Sequence, residues 1–153
     1  MSSNRGFEVL SYYKDMGINL PKRQTASSAG YDIEAAEDTV VPSFSFGQKP
    51  TLIKTGLKAF FEHDEVLLLV NRSSNPIKKG LVLANSVGVI DADYYNNPDN
   101  EGHLMFAFYN FSNEDITIKK GDRIGQGIFT KFLVTNDDNS TGSRTGGFGS
   151  TNQ

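Results

Sequence analysis

The stretch Leu83-Ala84-Asn85-Ser86-Val87-Gly88-Val89-Ile90-Asp91-Ala92-Asp93-Tyr94 sets apolar residues against one amide, two carboxylates and a terminal phenol. Its β-branched residues Val87, Val89 and Ile90 favour strand, so the centre of the chain reads as a β-hairpin. Gly88 interrupts the side-chain wall, and a flat ligand packed on bare backbone would explain the gap. Asp91 directly follows Ile90 at the end of an apolar strand, where partial desolvation would make its carboxylate a better proton acceptor. Tyr94, three residues on, reaches the same pocket. Taken alone, this stretch fits a plain hairpin with a surface Asp and a half-buried Tyr better than it fits a site. The flanking sequence reverses that balance.

Composition narrows the functions available. The chain has 153 residues, enough for one domain with a single sizeable core. Its net charge is -3, and its Lys and Arg residues are scattered. A nucleic-acid backbone would require a basic stripe, so nucleic acid is not an expected partner. With no cysteines, disulfides, thiolate metal sites and thiol nucleophiles are all excluded. His63 and His103 lack a close partner at metal-ligand spacing, which points to surface or structural roles. The apolar run Val66 to Val70 is too short to span a bilayer, and Met1 to Tyr13 lacks a signal peptide's apolar segment. The expectation is a soluble protein with no membrane partner, in the cytoplasm or in the host cytoplasm if the source is a phage or virus.

Upstream of the hairpin, Phe7 to Tyr13 reads as a first strand, followed by a polar connection from Lys22 to Ser28. Ala29 and Gly30 allow close backbone approach, with Asp32 beside them. Val40-Val41, the alternating Thr51 to Leu57 and the buried run Val66 to Val70 add further strands. The last of these leads into Asn71-Arg72-Ser73-Ser74-Asn75-Pro76-Ile77-Lys78-Lys79-Gly80. Asn75 suits an N-cap, Pro76 the first helical position and Gly80 the stop, which predicts about two turns of helix at most. Arg72, Ser73 and Ser74 then stand at its N-terminus, where an anion would be held.

Downstream, Tyr95 to Gly102 is loop chemistry throughout. His103 to Phe111 and Asp115 to Lys119 return as strands, Lys120-Gly121-Asp122 turns, and Arg123 to Val134 closes the core. Gln126 lies between Gly125 and Gly127, glycines that a structural role would explain. From Asn136 the chain becomes polar and Gly-rich, with Phe148 as its one large apolar side chain, and cannot bury enough surface to fold alone. Residues 1–135 therefore read as the folded domain and 136–153 as a flexible arm. Arg144, the glycine amides, Ser150 and Thr151 form a set of phosphate donors around the Phe148 ring.

Many short strands with turn signals between them, and almost no helical periodicity, indicate an all-β sandwich or barrel. Five segments then form an ordered pattern: Ala29-Gly30-Tyr31-Asp32, Arg72-Ser73-Ser74, Gly88 to Tyr94, Gly121 to Gln126, and Gly146-Gly147-Phe148-Gly149-Ser150-Thr151. In order and spacing they resemble the motifs of the trimeric deoxyuridine triphosphatases (dUTPases), and they span residues 29 to 151. The resemblance implies a jelly-roll-like β-barrel subunit and a homotrimer with active sites shared between subunits, the arm closing over a neighbour's site. It implies hydrolysis of dUTP to dUMP and pyrophosphate with Mg2+, which limits uracil in DNA and supplies dUMP for dTMP synthesis.

By that resemblance Asp91 activates the water that attacks the α-phosphorus, while Tyr94 packs under the deoxyribose and excludes a 2′-hydroxyl. Asn85 and the backbone from Gly88 to Ile90 would read the uracil edge. Arg72, Ser73, Ser74 and Gln126 would hold the phosphates, and Asp32 would act through metal-bound water. Phe148 would cover the base, with Arg144, Gly149, Ser150 and Thr151 completing the lid. Three departures from the family's usual pattern stand out. Tyr94 leads into a longer loop, Asn71 and Ser74 replace a Pro and a Gly around the second motif, and Arg144 is one residue nearer the Phe.

The chemistry suits the residues. An ion chelated by phosphates keeps several waters and needs few protein ligands. Donors from Ser, Arg, Gln and backbone can stabilise charge growing on the leaving pyrophosphate. The nearest alternative is a dCTP deaminase, a relative with a similar Arg-Ser-Ser segment that uses a Glu in its central hairpin, where this chain has Asp91-Ala92-Asp93-Tyr94. The other alternative is a dUTPase with an added binding role, in which the Tyr95 to Gly102 loop meets a regulatory protein if the source is a phage.

Overall fold

The computed structural model describes residues 4–142 and residue 144. Eleven strands form in chain order among them: β1 (Gly6–Val9), β2 (Tyr31–Glu34), β3 (Thr39–Val41), β4 (Thr51–Lys54), β5 (Leu57–Phe60), β6 (Glu65–Asn71), β7 (Leu81–Leu83), β8 (Gly88–Ile90), β9 (Met105–Asn110), β10 (Ile116–Ile118) and β11 (Arg123–Lys131). All the strand pairings are antiparallel. One sheet has the order β2-β11-β6-β8, a second β4-β9-β7, and two ribbons pair β1 with β5 and β10 with β3. The expected all-β, jelly-roll-like architecture is therefore observed. No helix among the described residues is long and apolar enough to cross a membrane.

Alternation along the strands builds the core. In β9, Phe106 and Phe108 point inward and stack with ring centroids 6.2 Å apart. Ile53 of β4 and Leu67 and Leu69 of β6 complete the same cluster. Burying each such side chain contributes roughly 1.5–3 kcal/mol. Gly125 of β11 is a packing requirement, because a Cβ there would lie 2.3 Å from the Phe106 ring. Between Arg123 and Gly125 the register of β11 against β2 slips, a bulge that places Ile124 in the core and leaves Arg123 outside.

Several sequence expectations shift. The first strand stops at Val9, and Ser11–Tyr13 forms a 3-10 turn instead. Thr51 to Leu57 splits into β4 and β5 at Thr55-Gly56. Phe132, Leu133 and Val134 are exposed and lie outside the core, since β11 ends at Lys131. The run Val66 to Val70 is buried on one face only. Leu67 and Leu69 enter the core, while Val66, Leu68 and Val70 stay half-exposed beside Ile128 and the exposed Val89 on the outer face of the sheet. Apolarity on both faces of a strand is the pattern of one covered on both sides, and this chain covers one.

His103 takes the structural role expected of it. Its Nε2 accepts the Gly56 N–H at 2.9 Å, so the ring is buried in its neutral form with the proton on Nδ1. Burial, reinforced by the charge of Lys54, lowers its pKa from 6.5 to about 4. Between those two values the unfolded chain binds a proton that the folded chain refuses, so stability falls as pH drops through that window. The loss by its lower end should be on the order of 3 kcal/mol. Thermal unfolding followed from pH 7 down to pH 5 should show a falling midpoint in the native protein and a shallower fall in His103→Gln. Equal slopes would assign the acid sensitivity to other groups.

Candidate active site

The sequence motifs gather at two separate ends of the four-stranded sheet. At one end, Gln126 is in register with both Val70 of β6 and Asp32 of β2. Gly30 makes room for the Gln126 amide, because a Cβ at that position would lie 1.9 Å from its Oε1. The close approach expected at Ala29-Gly30 is thus made by a side chain of the same protein. Arg72 follows β6 and donates from Nη1 to the Arg123 carbonyl at 3.2 Å, and Arg123 itself comes within 3.9 Å of Asp32. Arg72, Arg123 and Gln126 offer guanidinium and amide donors around one carboxylate, with Ser73 exposed beside them.

The segment after β6 forms a single π-helical turn, Asn75–Lys79, within the two turns at most that the sequence allows, and Ser74 occupies the N-cap position instead of Asn75. Gly80 ends it in the left-handed conformation (φ 70°), as expected of a helix stop. Asn75 is buried, donating from Nδ2 to Asn71 Oδ1 at 2.8 Å and to the Ile124 carbonyl at 3.0 Å. Asn71 in turn donates to the Leu81 carbonyl at 3.0 Å. One turn builds little dipole, and the Asn75 N–H already donates to the Arg72 carbonyl at 3.1 Å, so an anion here depends on side chains and not on a helix terminus. The Asn71–Asn75 pair, invisible in the motifs, fixes the loop that carries Arg72, Ser73 and Ser74.

At the other end, the hairpin strand is short. β8 covers only Gly88–Ile90, and Val87, expected in strand, lies in the preceding turn with the exposed Asn85. A Cβ at Gly88 would lie 3.1 Å from Leu69 of β6, so a position without a side chain suits the close packing of β8 on β6. The ligand-facing feature is the edge: β8 pairs with β6 on one side and with no described strand on the other. Its outer N–H and C=O groups are therefore open to a partner.

Asp91 follows β8, and its side chain retains 51% of its exposure, so water surrounds the carboxylate where apolar cover was expected. Tyr94 sits in the core, its hydroxyl donating to the His103 carbonyl at 2.7 Å and accepting from Asn100 Nδ2 at 2.8 Å. Burial raises its pKa, with the Asn100 hydrogen bond opposing. Tyr94 thus offers a fixed wall and no free hydroxyl. The loop that carries Asn100 is well anchored: Tyr95 donates to Glu8, Lys58 pairs with Glu101 at 2.8 Å, and Ser11 donates to the same carboxylate.

Arg144 lies at this end too, and not with the phosphate donors expected of it. Its Nε donates to Asp93 Oδ1 at 2.8 Å and its Nη2 to Asp91 Oδ2. The hydrogen bond to Asp93 raises its already high pKa, so the guanidinium is permanently charged. Sequence reading misses Asp93, Asn100 and Arg123, none of which differs in type from an ordinary surface residue. Phe148, Gly149, Ser150 and Thr151 lie outside the described residues. No cluster of three or more His, Asp or Glu side chains that could hold a metal ion occurs among the described residues.

The two ends are far apart in one chain. Ile90 faces Leu67 in the β8–β6 ladder, and Arg72 is five residues further along the chain. At about 3.3 Å per residue, roughly 17 Å separates the end of the hairpin strand from the start of the phosphate-donor loop, and Asp91 lies one residue further still.

A family model for dUTPase matches residues 17–152. The deoxyuridine 5′-triphosphate nucleotidohydrolase of Lactococcus lactis is 59% identical over 149 residues, covering 96% of this chain and 97% of the relative. That of Desulfitobacterium hafniense is 37% identical over 147 residues, covering 90% of each. Among solved structures, the dUTPase from Streptococcus mutans superposes with a TM-score of 0.79 at 48% identity, covering 86% of this chain and 98% of that one. The dUTPase from phage phi11 of S. aureus shares the fold at a TM-score of 0.71 and 22% identity, covering 89% of this chain and 95% of that one.

Replacing Asn75 by Ala removes the donor that serves both Asn71 and the Ile124 carbonyl. Leaving those acceptors buried and unpaired should cost on the order of 2 kcal/mol. Urea unfolding should report that loss, and calorimetric titration should show weaker binding of a triphosphate ligand because the Arg72 loop is no longer held. Unchanged binding would mean that the loop keeps its shape without the asparagine pair.

Proposed function

This chain belongs to the dUTPase family and is a dUTP-hydrolysing enzyme, and from that premise we propose that Asp91 is the base that activates the attacking water, in sites shared between copies of a homotrimer. The observation that carries this reading is the position of Asp91. It is a water-accessible carboxylate at the end of an open-edged strand, next to the fixed wall of Tyr94. Uracil lies against the outer edge of β8, where backbone groups held in a ladder suit its donor and acceptor pattern and mismatch cytosine. Such unpaired polar groups can reject an analogue by roughly 10⁴-fold. Asn85 assists from the turn, and the deoxyribose rests against Tyr94, which leaves no room for a 2′-hydroxyl. A methyl on the base is excluded by clash.

Arg72, Ser73, Ser74 and Gln126 hold the phosphates, with Arg123 beside them. The reacting atoms must come within about 3–3.5 Å of one another, yet the two ends of the sheet in one chain are roughly 17 Å apart. That mismatch supports a site assembled from the hairpin end of one copy and the phosphate end of another. The half-exposed apolar face of Val66, Leu68, Val70, Val89 and Ile128 supports the same assembly, because a second copy would supply its missing cover. Residues 136–153 serve as the arm, with Phe148 over the base and Gly149, Ser150 and Thr151 on the phosphates.

The donor set fits Mg2+ carried in by the substrate, since Asp32 is a single, mostly buried carboxylate beside phosphate donors and can hold metal-bound water. The ion's chemistry is to neutralise charge on the phosphates. A solved structure of a mutant phage phi11 dUTPase coordinates a structural Mg(II) ion. Asp91 accepts the proton as water attacks the α-phosphorus, and the donors around Arg72 stabilise the charge that develops on pyrophosphate. The product supplies dUMP for dTMP synthesis while uracil is kept from DNA, a role suited to the cytoplasm, or to the host cytoplasm for a phage source.

Asp91→Asn should lower kcat for pyrophosphate release by about 10²–10⁴-fold. Retention of full hydrolysis would remove Asp91 from the role of base. The shared site has its own check: co-expressing Asp91→Asn with Arg72→Gln should restore activity that neither variant shows alone, because a mixed assembly contains sites with both native groups. A co-expressed mixture as inactive as its parts would place each site within one chain.

A further inference from the structure

Among the described residues, the arm returns to the barrel at Arg144. Every residue from Lys131 to Gly142 is exposed, and β11, the last strand, has ended by then. Arg144 then lies against the hairpin with only 15% of its side chain exposed, while the carboxylates of Asp91 and Asp93 keep 51% and 57%. One guanidinium spans both acids, Nε on Asp93 at 2.8 Å and Nη2 on Asp91.

We propose that before substrate arrives Arg144 occupies the carboxylate of Asp91 and keeps it from acting as a base, and that Asp93 is the positioning residue that docks Arg144 there, an inference that rests on the reading of Asp91 as base. A carboxylate oxygen engaged by a guanidinium has one fewer lone pair for water. Without Arg144, two adjacent carboxylates would also repel an incoming triphosphate. The triphosphate carries more charge than either acid and accepts guanidinium donors in pairs, so it competes for the same side chain. When Arg144 moves to phosphate, Asp91 is freed at the moment its water has a target. Exposed ion pairs are weak, which suits a contact that substrate must displace.

Asp93 has no part in holding the uracil or the phosphates, so its substitution tests the dock without removing the chemistry. Trypsin cleaves after an arginine that can leave its partners. In ligand-free protein, Asp93→Asn should release the peptide beyond Arg144 severalfold faster than the native enzyme, as followed by mass spectrometry. In steady state the same variant should show a KM lowered about three- to tenfold with kcat within twofold, the scale of one or two exposed pairs lost from the substrate-free state. A contact of purely structural value would instead leave KM unchanged or raise it. Unchanged cleavage, or a raised KM, overturns the dock. Its failure is separable from that of the base: an active Asp91→Asn enzyme would discard the base reading while the proteolysis of Asp93→Asn still reports where Arg144 rests.

Discussion

Strand β6 constrains everything else in this molecule. It is the seven-residue strand that pairs with β11 on one side and β8 on the other, and its alternate side chains Leu67 and Leu69 anchor the core. Because a strand is stiff and its ladder fixes register, β6 acts as a spacer between two chemical ends. Arg72 leaves from one end, and Asp91 is delivered to the other by β8. Slipping the β8–β6 ladder by one residue would turn Ile90 to solvent and Val89 to the core, so the position of Asp91 is held by the same burial that stabilises the sheet. Charge at the N-terminal end of β6 is managed separately: Glu65 is buried, and the hydrogen bonds it receives from Arg5 hold its carboxyl below the usual carboxylate range.

Rigidity around Tyr94 is built from a loop whose sequence looks like filler between motifs. Asn100 donates to the Tyr94 hydroxyl, and Asn100 Oδ1 accepts the Gly102 N–H at 3.0 Å. His103 closes the circuit by accepting from Tyr94 through its carbonyl and from Gly56 through its ring. Lys58, pairing with Glu101 and donating to Asn96, ties the loop to β5. The sugar-excluding role proposed for Tyr94 calls for a wall that does not yield, and this network, by using both the donor and the acceptor capacity of the phenol, removes its freedom to rotate away.

Much of this is legible in the sequence, and what is not has physical causes. Strand existence follows from β-branched and apolar alternation, as in Val66 to Val70 and His103 to Phe111. Boundaries differ where local chemistry prevails, as at Ser11–Tyr13, where a 3-10 turn follows β1, and at Val87, which looks like strand but sits in a turn. Gly88 signals close approach, as a strand glycine does, and Leu69 of β6 is one close neighbour there. Asn75 looks like a cap from its type and its place before Pro76, whereas its amide is consumed inside, by Asn71 and Ile124. The gathering of Asp32, Arg72 and Gln126 is legible through the ordered motifs. Their separation from Asp91 is not, because motif order carries no information about which strand end each motif occupies.

The distribution of charge ties these observations together. A chain of net charge -3 has no general attraction for a polyphosphate, so its ligand must be held by local fields. Arg72 and Arg123 concentrate positive charge at one end of β6, with Asp32 as their counter-charge. Asp91 and Asp93 concentrate negative charge at the other end, where phosphate would be unwelcome and a neutral base edge is not. In the proposed site assembled from two copies, this polarity would orient a nucleotide with its phosphates toward one copy's arginines and its base toward the other copy's β8. It also bears on the proposed dock: two carboxylates left bare beside an open strand edge would repel a triphosphate, and one guanidinium spanning both, as Arg144 does, offsets part of that charge.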